Sequence, residues 1–525
     1  FFFFFMRKSV PAVVFSSALA TLFVLHTSSV QAADLKIGLA ASTTSMDPQF
    51  YVGGANSAMA RSIFDGLVNQ DEKQHITPAL AVSWKIINDT TWEFSLRPGV
   101  KFHDGSDFTA KDVIASIKRV PLASKNSPSA YTPYVNDIAD VTEVNPLTVR
   151  IVTKTPTPLL LNNLSRVAIL PARLENVPSQ TLNEGKDVIG TGPFKFVSWT
   201  PDDNVVLARN DQYWGGKAQW DNVTLRVFKN PSARVAAIRS GDVDVIESVP
   251  TADGRDLAKQ ASLHMESVAG NRILYLHPDQ DRDASPFAKG PDGSNPLKKR
   301  EVREAMSLAI NRQAIVDRIM DGQGVPASQL VPKGYFGYTP SIAAPVYDPA
   351  KAKQLLAQAG YPDGFTLTFH ASNDRYPNDS KIAQALGQMF SRVGIKTDVV
   401  TMPGSVYFSR ASKRDFSLIM GGAAIETGEA SGVLGPLLET FGPNGGQGNR
   451  GRYSNPEFDK TLAEARSTLD DGKREKLLQQ ATEIAMKDEG TIPLLFLSYT
   501  WAMKTPYTYV GRSDGYTLPY FVHEK

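Results

Sequence analysis

Hydrophobic patterns typical of strands and of helices alternate along the chain after residue 33, and this alternation limits the possible fold more than any other feature. Residues 82–96 and 194–207 each contain two runs of alternating apolar and polar residues with a polar turn between them. Such a pattern predicts a β-hairpin. Residues 302–310 place apolar side chains at helical spacing, and residues 470–488 form a charged amphipathic segment. This mixture predicts an α/β or α+β architecture.

The N-terminal segment has the pattern of a secretory signal. The phenylalanine run at residues 1–5 is interpreted as an N-terminal artefact with no bearing on the fold. Arg7 and Lys8 follow, and then an apolar stretch at 10–25 that a proline and polar residues interrupt. Small residues precede Ala32, so we expect a signal peptide that is cleaved after it. An uncleaved N-terminal anchor is the alternative, but the stretch is short and broken for a membrane span.

Cysteine is absent from all 525 residues. This excludes a lipoprotein anchor, disulfides and thiolate metal sites, and an unanchored product is expected in a Gram-negative periplasm. The full chain carries a formal charge of +2. Loss of Arg7 and Lys8 leaves the mature chain neutral, which predicts no nucleic-acid partner and no basic membrane-binding face. The seven histidines lack metal-ligand spacing, so we expect no metal site and no cofactor, although a chelated metal could be carried.

Two short motifs raise the possibility of an enzyme. His103 and Asp104 are adjacent, as in some catalytic dyads, but no nucleophile or third group accompanies them, and a turn pair is the simpler interpretation. Residues 446–451 fit the G-x-G-x-x-G pattern of dinucleotide-binding proteins. No strand pattern precedes them and no clear helix follows, which favours a flexible loop. We therefore predict that the chain is not an enzyme and keep a secreted hydrolase as the remote alternative.

Several segments match a known pattern in the expected order. The longest is LRPGVKFHDGSDFTAKDV at residues 96–113. The supporting segments are PALAVSW (78–84), GTGPF (190–194), NDQYW (210–214), SGDVDV (240–245), VREAMSLAINRQAIV (302–316), YDPAKAKQLLAQAGYPDGF (347–365) and RYSNPEFD (452–459). Together they cover nearly the whole mature chain and resemble the family 5 extracellular solute-binding proteins. TGEA at 427–430 and LGPL at 434–437 are most similar to the glutathione-binding branch.

The resemblance implies an α/β, two-lobed periplasmic-binding-protein fold of type II with an extra domain, as in the cluster C proteins. The lobes are expected to close on a ligand about a hinge. The polar segment at 279–295 separates a strand-rich part from a helix-rich part and is the predicted hinge or boundary. By analogy, the first lobe combines residues 33–76, 192–268 and 505–525, the extra domain spans 77–191, and the second lobe spans 269–504.

The resemblance also implies a function. Family 5 proteins are the receptors of ABC importers for dipeptides, oligopeptides, glutathione and nickel. We therefore expect a monomeric periplasmic receptor that captures a short peptide or peptide-like ligand by hinge closure and delivers it to an inner-membrane permease. A receptor for a non-peptide solute, such as a nickel chelate, an opine or a sugar conjugate, is the alternative.

A peptide-like ligand carries a carboxylate and an ammonium group, and the resemblance indicates candidate residues for both. Arg375 lies in NDRYP, which resembles the QRPY segment whose arginine meets the ligand carboxylate in dipeptide receptors, and Tyr376 follows it. Arginine suits this role because its planar fork bonds a carboxylate at two points. Glu426, Thr427 and Glu429 lie where dipeptide receptors place an aspartate for the ammonium group, although the tryptophan that precedes that aspartate is absent here.

Five further residues are ligand candidates. Thr43, Thr44 and Ser45 lie on the first polar loop, where the other lobe of the family meets its ligand. Tyr131 in the extra domain could stack on a ligand or bond to it. Arg452 follows the glycine-rich loop and is a candidate for a second anion contact.

Overall fold

The computed structural model describes residues 33–443 and 445–525. The predicted signal peptide lies outside the described residues. No helix of the described part is long and apolar enough to cross a membrane.

The strands and helices of the described part follow one another along the chain as the sequence pattern predicted. The strands are β1 (Asp34–Leu39), β2 (Val68–Gln70), β3 (Ile76–Pro78), β4 (Ala81–Asn88), β5 (Thr91–Leu96), β6 (Ile138–Asn145), β7 (Thr148–Thr153), β8 (Phe194–Thr200), β9 (Asn204–Arg209), β10 (Asn222–Val227), β11 (Val245–Glu247), β12 (Leu263–Pro278), β13 (Ala288–Lys289), β14 (Gly324–Pro326), β15 (Phe365–Ser372), β16 (Ile395–Met402), β17 (Leu418–Ala424), β18 (Ile492–Lys504), β19 (Tyr507–Tyr509) and β20 (Val522–Glu524). The helices are α1 (Gly54–Ile63), α2 (Ala110–Ala123), α3 (Leu160–Leu164), α4 (Ser179–Asn183), α5 (Pro231–Ser240), α6 (Thr251–Ala258), α7 (Arg300–Ala309), α8 (Arg312–Arg318), α9 (Pro349–Gln358), α10 (Asp379–Arg392), α11 (Gly404–Ser412), α12 (Ser431–Leu438), α13 (Pro456–Ser467) and α14 (Asp471–Lys487).

A twelve-stranded sheet runs through the molecule in the order β13-β15-β17-β12-β18-β11-β1-β10-β9-β8, with β14 on β18 and β16 on β15. At one end, β1 pairs in parallel with β10 and β11. At the other end, β15 pairs in parallel with β16 and β17, and α10 and α11 form the connections between these strands. The predicted hairpins at 82–96 and 194–207 are present as β4–β5 and β8–β9. Parallel pairs joined through helices are the mixed architecture that the alternation predicted.

Two long strands, β12 and β18, connect the two ends of this sheet. They pair antiparallel on both sides of a register shift between Ala269 and Ile273. Gly270 lies in this gap, where a Cβ atom would come within 2.6 Å of the Leu497 carbonyl oxygen. The chain therefore crosses from one end of the sheet to the other at an interruption in the hydrogen-bonded ladder.

Each end of the sheet has its own hydrophobic core, and these cores define two lobes. In the first lobe, the buried side chains of β1, β9 and β10 pack with Phe194, Trp220 and Trp501. In the second lobe, α7, α9 and α10 cover β15 and β17, and Phe369 and Phe390 are among the fully buried side chains. Each end of the sheet therefore has a separate core, as a two-lobed fold requires.

Two helices of the second lobe begin and pack as their sequences predict. The apolar stripe at 302–310 is α7, and its inward side chains are buried against the core. α9 begins after Asp348, whose carboxylate accepts a hydrogen bond from the backbone N–H of Lys351 at 2.9 Å. Pro349 occupies the first helical position, where its missing N–H costs nothing.

A third core belongs to the extra domain. Its antiparallel sheet has the order β4-β5-β7-β6, and α2 packs on the face that carries Trp92 and Phe94. α2 begins after Thr109, as predicted, and the Asp112 carboxylate accepts a hydrogen bond from the backbone N–H of Thr109 at 2.7 Å. This contact satisfies a donor at the start of the helix.

A buried ion pair fixes the polar loop after β1. The Arg119 guanidinium donates to both carboxylate oxygens of Asp47, at 3.0 and 2.6 Å, and both side chains are at most 1% exposed. Arg119 also donates to the carbonyl oxygens of Leu174 and Val177. Since both charges are fully hydrogen-bonded, the pair is tolerated in the interior and holds the loop against α2.

The polar segment at 279–295 is not the boundary that its composition predicted. Asp279 accepts hydrogen bonds from Arg282 Nε at 2.5 Å, from Arg414 Nη2 at 3.1 Å and from the Ser285 hydroxyl at 2.7 Å. These contacts all lie within the second lobe. The polarity of the segment reflects a local hydrogen-bond network, whereas the lobes are joined by β12 and β18.

Candidate ligand-binding site

A cavity of about 410 Å³ lies beside the strands that join the lobes. The first lobe contributes residues 248–251, the second lobe contributes 375–378, and β18 contributes 497–500. Asn378 Nδ2 donates to the Thr251 hydroxyl at 3.0 Å, so the lobes touch at the edge of the cavity. A solute bound here would contact both lobes, and a hinge motion would change its access to solvent.

The predicted residues Arg375 and Tyr376 line this cavity on a loop that precedes α10. Asp379 Oδ2 accepts hydrogen bonds from the backbone N–H groups of Arg375 at 3.0 Å and Tyr376 at 3.2 Å, and from the Ser372 hydroxyl at 2.7 Å. The loop backbone is thereby fixed while the Arg375 side chain stays exposed, with its guanidinium carbon 5.2 Å from the centre of the Tyr376 ring. A fixed backbone that presents a free guanidinium suits the capture of a carboxylate.

Tyr376 forms a rigid part of the cavity wall. Its hydroxyl donates to the Gly422 carbonyl oxygen at 3.3 Å, and a Cβ atom on Gly422 would come within 2.8 Å of the ring. Burial raises the pKa of Tyr376, and the nearby Arg375 and Arg272 oppose that rise. The phenol therefore stays protonated at neutral pH and keeps this hydrogen bond.

Glu426 lies outside the cavity, in a contact between the extra domain and the second lobe. Arg166 donates to Glu426 Oε2 at 2.8 Å and to the Tyr516 hydroxyl at 2.8 Å. Tyr134 is adjacent, and burial raises its pKa. We call Arg166, Glu426, Tyr134 and Tyr516 the interlobe cluster. Arg166 is 5% exposed and Glu426 is 44% exposed, so the glutamate is held by a buried arginine of the extra domain.

Thr427 and Glu429 are also engaged by protein groups. The Thr427 carbonyl oxygen accepts hydrogen bonds from Asn162 Nδ2 of the extra domain at 2.6 Å and from Gln70 Nε2 of the first lobe at 3.4 Å. Glu429 is 3% exposed and forms an ion pair with Arg474 inside the second lobe. Neither side chain lines the cavity that contains Arg375.

The three residues predicted on the first polar loop are buried or hydrogen-bonded to neighbouring protein groups. Thr43 is buried. The Thr44 hydroxyl donates to Asn56 Oδ1 at 3.2 Å, and the Ser45 hydroxyl donates to Asn183 Oδ1 at 2.8 Å. The structure brings none of the three to the wall of the cavity.

Tyr131 and Arg452 lie in two further places. Tyr131 is buried, its ring centre is 5.7 Å from that of Tyr134, and burial raises its pKa. It therefore borders the interlobe cluster. Arg452 lies over the Phe441 ring, 3.5 Å from its centre, and donates to the Asn449 carbonyl oxygen at 2.6 Å.

The family model named "Bacterial extracellular solute-binding proteins, family 5 Middle" matches residues 75–445. The glutathione-binding protein GsiB of Salmonella paratyphi A (strain ATCC 9150 / SARB42) is 31% identical over 475 residues, which are 88% of this chain and 89% of the relative. This chain belongs to family 5 of the bacterial extracellular solute-binding proteins. The predicted family is confirmed, and the chain is a solute-binding protein and not an enzyme.

Solved structures confirm the two-lobed family 5 fold with its extra domain. DppA from Helicobacter pylori, in complex with the peptide STSA, matches with a TM-score of 0.72 and 26% identity over 94% of this chain and 98% of that chain. AgaA from A. tumefacien R10, in complex with agropinic acid, matches with a TM-score of 0.70 and 25% identity over 94% of this chain and 99% of that chain. Proteins with this fold are thus seen with a peptide and with a non-peptide solute.

The adjacent His103 and Asp104 of this family 5 protein do not form a catalytic dyad. His103 bonds through Nε2 to the Gly192 carbonyl oxygen at 3.0 Å and through Nδ1 to the backbone N–H of Gly190 at 3.2 Å. Burial lowers the His103 pKa to about 4. Asp104 binds Arg173 at 3.2 Å instead. Both ring nitrogens are engaged by backbone groups, so the pair fixes a turn.

Sequence reasoning missed Arg272, which lines the cavity from β12. It follows Gly270 and Asn271 and stands directly before the apolar run 273–276. A charged residue within a strand, directly before a buried apolar run, is uncommon unless it has a partner or a function. That contrast within β12 is the feature of the sequence that could have identified it.

Proposed function

We propose that this family 5 protein is the periplasmic receptor of an ABC importer and captures a short peptide or peptide-like solute in the cavity between its lobes. A carboxylate of the solute pairs with Arg375, both lobes contact the solute, and the loaded receptor delivers it to a permease in the inner membrane. The signal-like N-terminal segment and the lack of cysteine support secretion as an unanchored protein.

The observation that carries this proposal is the free guanidinium of Arg375. Its backbone is held by Asp379, its side chain is exposed, and no acidic residue lines the cavity in the described part of the chain. An arginine held in this way leaves its donors for a ligand carboxylate. The relatives named for glutathione and the neighbour solved with a peptide support a peptide-type ligand.

Closure would rotate the lobes about the register shift between Ala269 and Ile273 in β12. The interlobe cluster and the bond between Asn378 and Thr251 are among the direct contacts that such a rotation would make or break. The proposed boundaries are 33–76, 192–268 and 505–525 for the first lobe, 77–191 for the extra domain and 269–504 for the second lobe.

A non-peptide carboxylate solute, such as an opine, is the second candidate. One observation favours it: the cavity wall in the described residues offers no carboxylate to an ammonium group. The neighbour solved with agropinic acid shows that the fold can bind such a solute. Glu426, predicted as the ammonium partner, is instead held by Arg166.

A thermal-shift screen of residues 33–525 tests the proposal. The panel holds glutathione, di- to pentapeptides, nickel chelates and opines. A solute that binds only the folded state, at a hundredfold its dissociation constant, raises the stability by about 2.7 kcal/mol. We expect a shift with glutathione or a peptide that disappears in Arg375→Gln and persists in Arg318→Gln, which alters an exposed arginine of α8. Shifts with chelates or opines alone would contradict the peptide assignment.

A further inference from the structure

The cavity between the lobes is lined by positive charge without compensating negative charge. Arg234, Arg272 and Arg375 line it, whereas no aspartate, glutamate or lysine does so in the described residues. Guanidinium groups remain charged at every physiological pH. Like charges gathered around one small space repel each other unless an anion lies between them.

Arg234 is accounted for by the protein itself. It is 3% exposed and donates to the carbonyl oxygens of Phe228, Glu247 and Ser248 at 2.6, 2.9 and 2.8 Å. The Glu247 carboxylate does not line the cavity; it accepts from the backbone N–H of Ala40 and from the Thr517 hydroxyl. Arg234 therefore holds the first lobe together and adds a positive field, and each of its three guanidinium nitrogens already donates to a carbonyl oxygen of the protein.

Arg272 has no such set of partners. It lies on β12 opposite Ala424 of β17, beside the register shift that joins the lobes, and is only partly buried. It is close to the Tyr499 phenol, whose own hydroxyl lies 3.3 Å from Asn271 Oδ1. None of the ion pairs in the described residues involves Arg272 or Arg375.

The two unpaired arginines line the same cavity. Tyr376 lines it with them, and its ring centre lies 5.2 Å from the guanidinium carbon of Arg375. Arg375 comes from the loop before α10, and Arg272 comes from the strand that crosses between the lobes. They therefore approach the cavity from separate elements, as two contacts for separate groups of one ligand would.

We infer that the solute of this receptor carries two carboxylates, one bound by Arg375 and the other by Arg272. The inference rests on the proposed function, because it concerns the same cavity, and it adds Arg272 as the residue that sets the preference for a second carboxylate. A cavity of about 410 Å³ is at the small end of ligand sites, roughly 300–1,000 Å³. The solute class is a peptide or peptide-like molecule of two or three residues with an acidic side chain or a γ-linked glutamate.

Isothermal titration calorimetry with matched probes tests the inference. The probes are Ala-Glu and Ala-Gln, which differ only in the second carboxylate, together with glutathione and its glycine amide. We expect the intact protein to bind the dicarboxylate of each pair about 10- to 100-fold more tightly, as for a hydrogen-bonded charged pair. Arg272→Gln should remove this preference, Arg375→Gln should weaken all four probes, and Arg318→Gln should change nothing.

The outcomes separate the inference from the proposed function. If the intact protein binds Ala-Gln as tightly as Ala-Glu, or if Arg272→Gln keeps the preference, peptide binding stands and the two-carboxylate inference is wrong. If peptides fail but a non-peptide dicarboxylate binds and depends on Arg272, the inference stands and the peptide assignment is wrong. Binding of no dicarboxylate contradicts the inference.

Two further experiments serve as controls for this test. Inorganic phosphate and sulfate are titrated alone; if they compete with the dicarboxylates at similar concentration, Arg272 and Arg375 form a simple anion site and the inference is overturned. If Arg272→Gln does not fold, Arg272→Lys keeps the charge but loses the two-point geometry. It should then retain part of the preference for the dicarboxylates, and full loss or full retention would contradict the role given to Arg272.

Discussion

The cavity and the interlobe cluster both lie where parts of the molecule meet, and both contain arginine, but their arginines are used differently. In the cluster, Arg166 is 5% exposed and holds Glu426 and the Tyr516 hydroxyl. In the cavity, Arg272 and Arg375 have no acidic partner among the described residues. The first arrangement is complete without a solute, whereas the second is not.

This difference indicates which arginines stabilise the protein and which are available to bind a ligand. A charge buried with its partner supports a contact, and removal of the partner leaves an uncompensated charge. A partly exposed charge without a partner costs little to keep, and its donors remain available. Pairing therefore distinguishes structural from ligand-binding arginines better than position in the sequence does.

The largest effect is expected at a paired arginine. Glu429→Gln removes the buried partner of Arg474, which is 8% exposed and whose other partner, Asp471, is exposed; it should lower the apparent free energy of unfolding by about 3 kcal/mol. Arg375→Gln should change it by less than about 0.5 kcal/mol, because its side chain is exposed. Urea denaturation measures both, with the exposed Glu464→Gln as the control. Equal losses of unfolding free energy in the two variants would contradict the distinction between structural and ligand-binding arginines.

A pH series separates stability from binding. Burial lowers the His103 pKa to about 4 from the ordinary value near 6.5. As the pH falls below 6.5, the unfolded chain thus binds a proton on this histidine before the folded chain does. The contribution of His103 to the free energy of unfolding is therefore present in full above pH 6.5 and is lost as the pH falls through about 4. The loss should be roughly 3 kcal/mol, because each pKa unit corresponds to about 1.4 kcal/mol.

Melting temperatures from pH 4 to 8 measure this effect. His103→Gln should make the acid limb shallower without abolishing it, because burial also lowers the pKa of His277 and of His370. His75→Gln, at an exposed histidine, should not make the acid limb shallower. The dissociation constant for the solute should stay constant between pH 6 and 8, because guanidinium groups do not titrate there. An unchanged acid limb in His103→Gln would show that another group controls it.

A smaller effect is expected from the interlobe cluster. If the cluster serves closure, Arg166→Gln should weaken the binding of every solute about fivefold, roughly 1 kcal/mol, without a change in preference between solutes. Arg173→Gln, which breaks ion pairs at the surface, is the control. A loss that differs between Ala-Glu and Ala-Gln would instead place Arg166 in direct contact with the solute.

Much of the fold could be predicted because its determinants are local. The capped start of α2 at Thr109 and of α9 at Asp348 depends on contacts within three residues. The two hairpins depend on alternation and a polar turn. The boundary at 279–295 was wrong because polar composition does not distinguish an exposed linker from a network around Asp279.

The site was less predictable because its pairings are long-range. Arg166 and Glu426 are 260 positions apart, so no local pattern could show that the predicted ammonium partner is already engaged. Arg375 could be predicted from its resemblance to a known segment. Arg272 stands directly before the apolar run 273–276, whose pattern indicates only core.

The most direct measurement compares Arg375→Gln with Glu426→Gln in one calorimetric series with glutathione and Ala-Glu. If the cavity binds the solute and the interlobe cluster serves closure, Arg375→Gln should weaken binding about 30-fold or more, as for a lost charged hydrogen-bonded pair. Glu426→Gln should weaken it less than about fivefold. The opposite order, with the larger loss in Glu426→Gln, would mean that Glu426 leaves Arg166 to bind the solute and would contradict the distinction between the two regions.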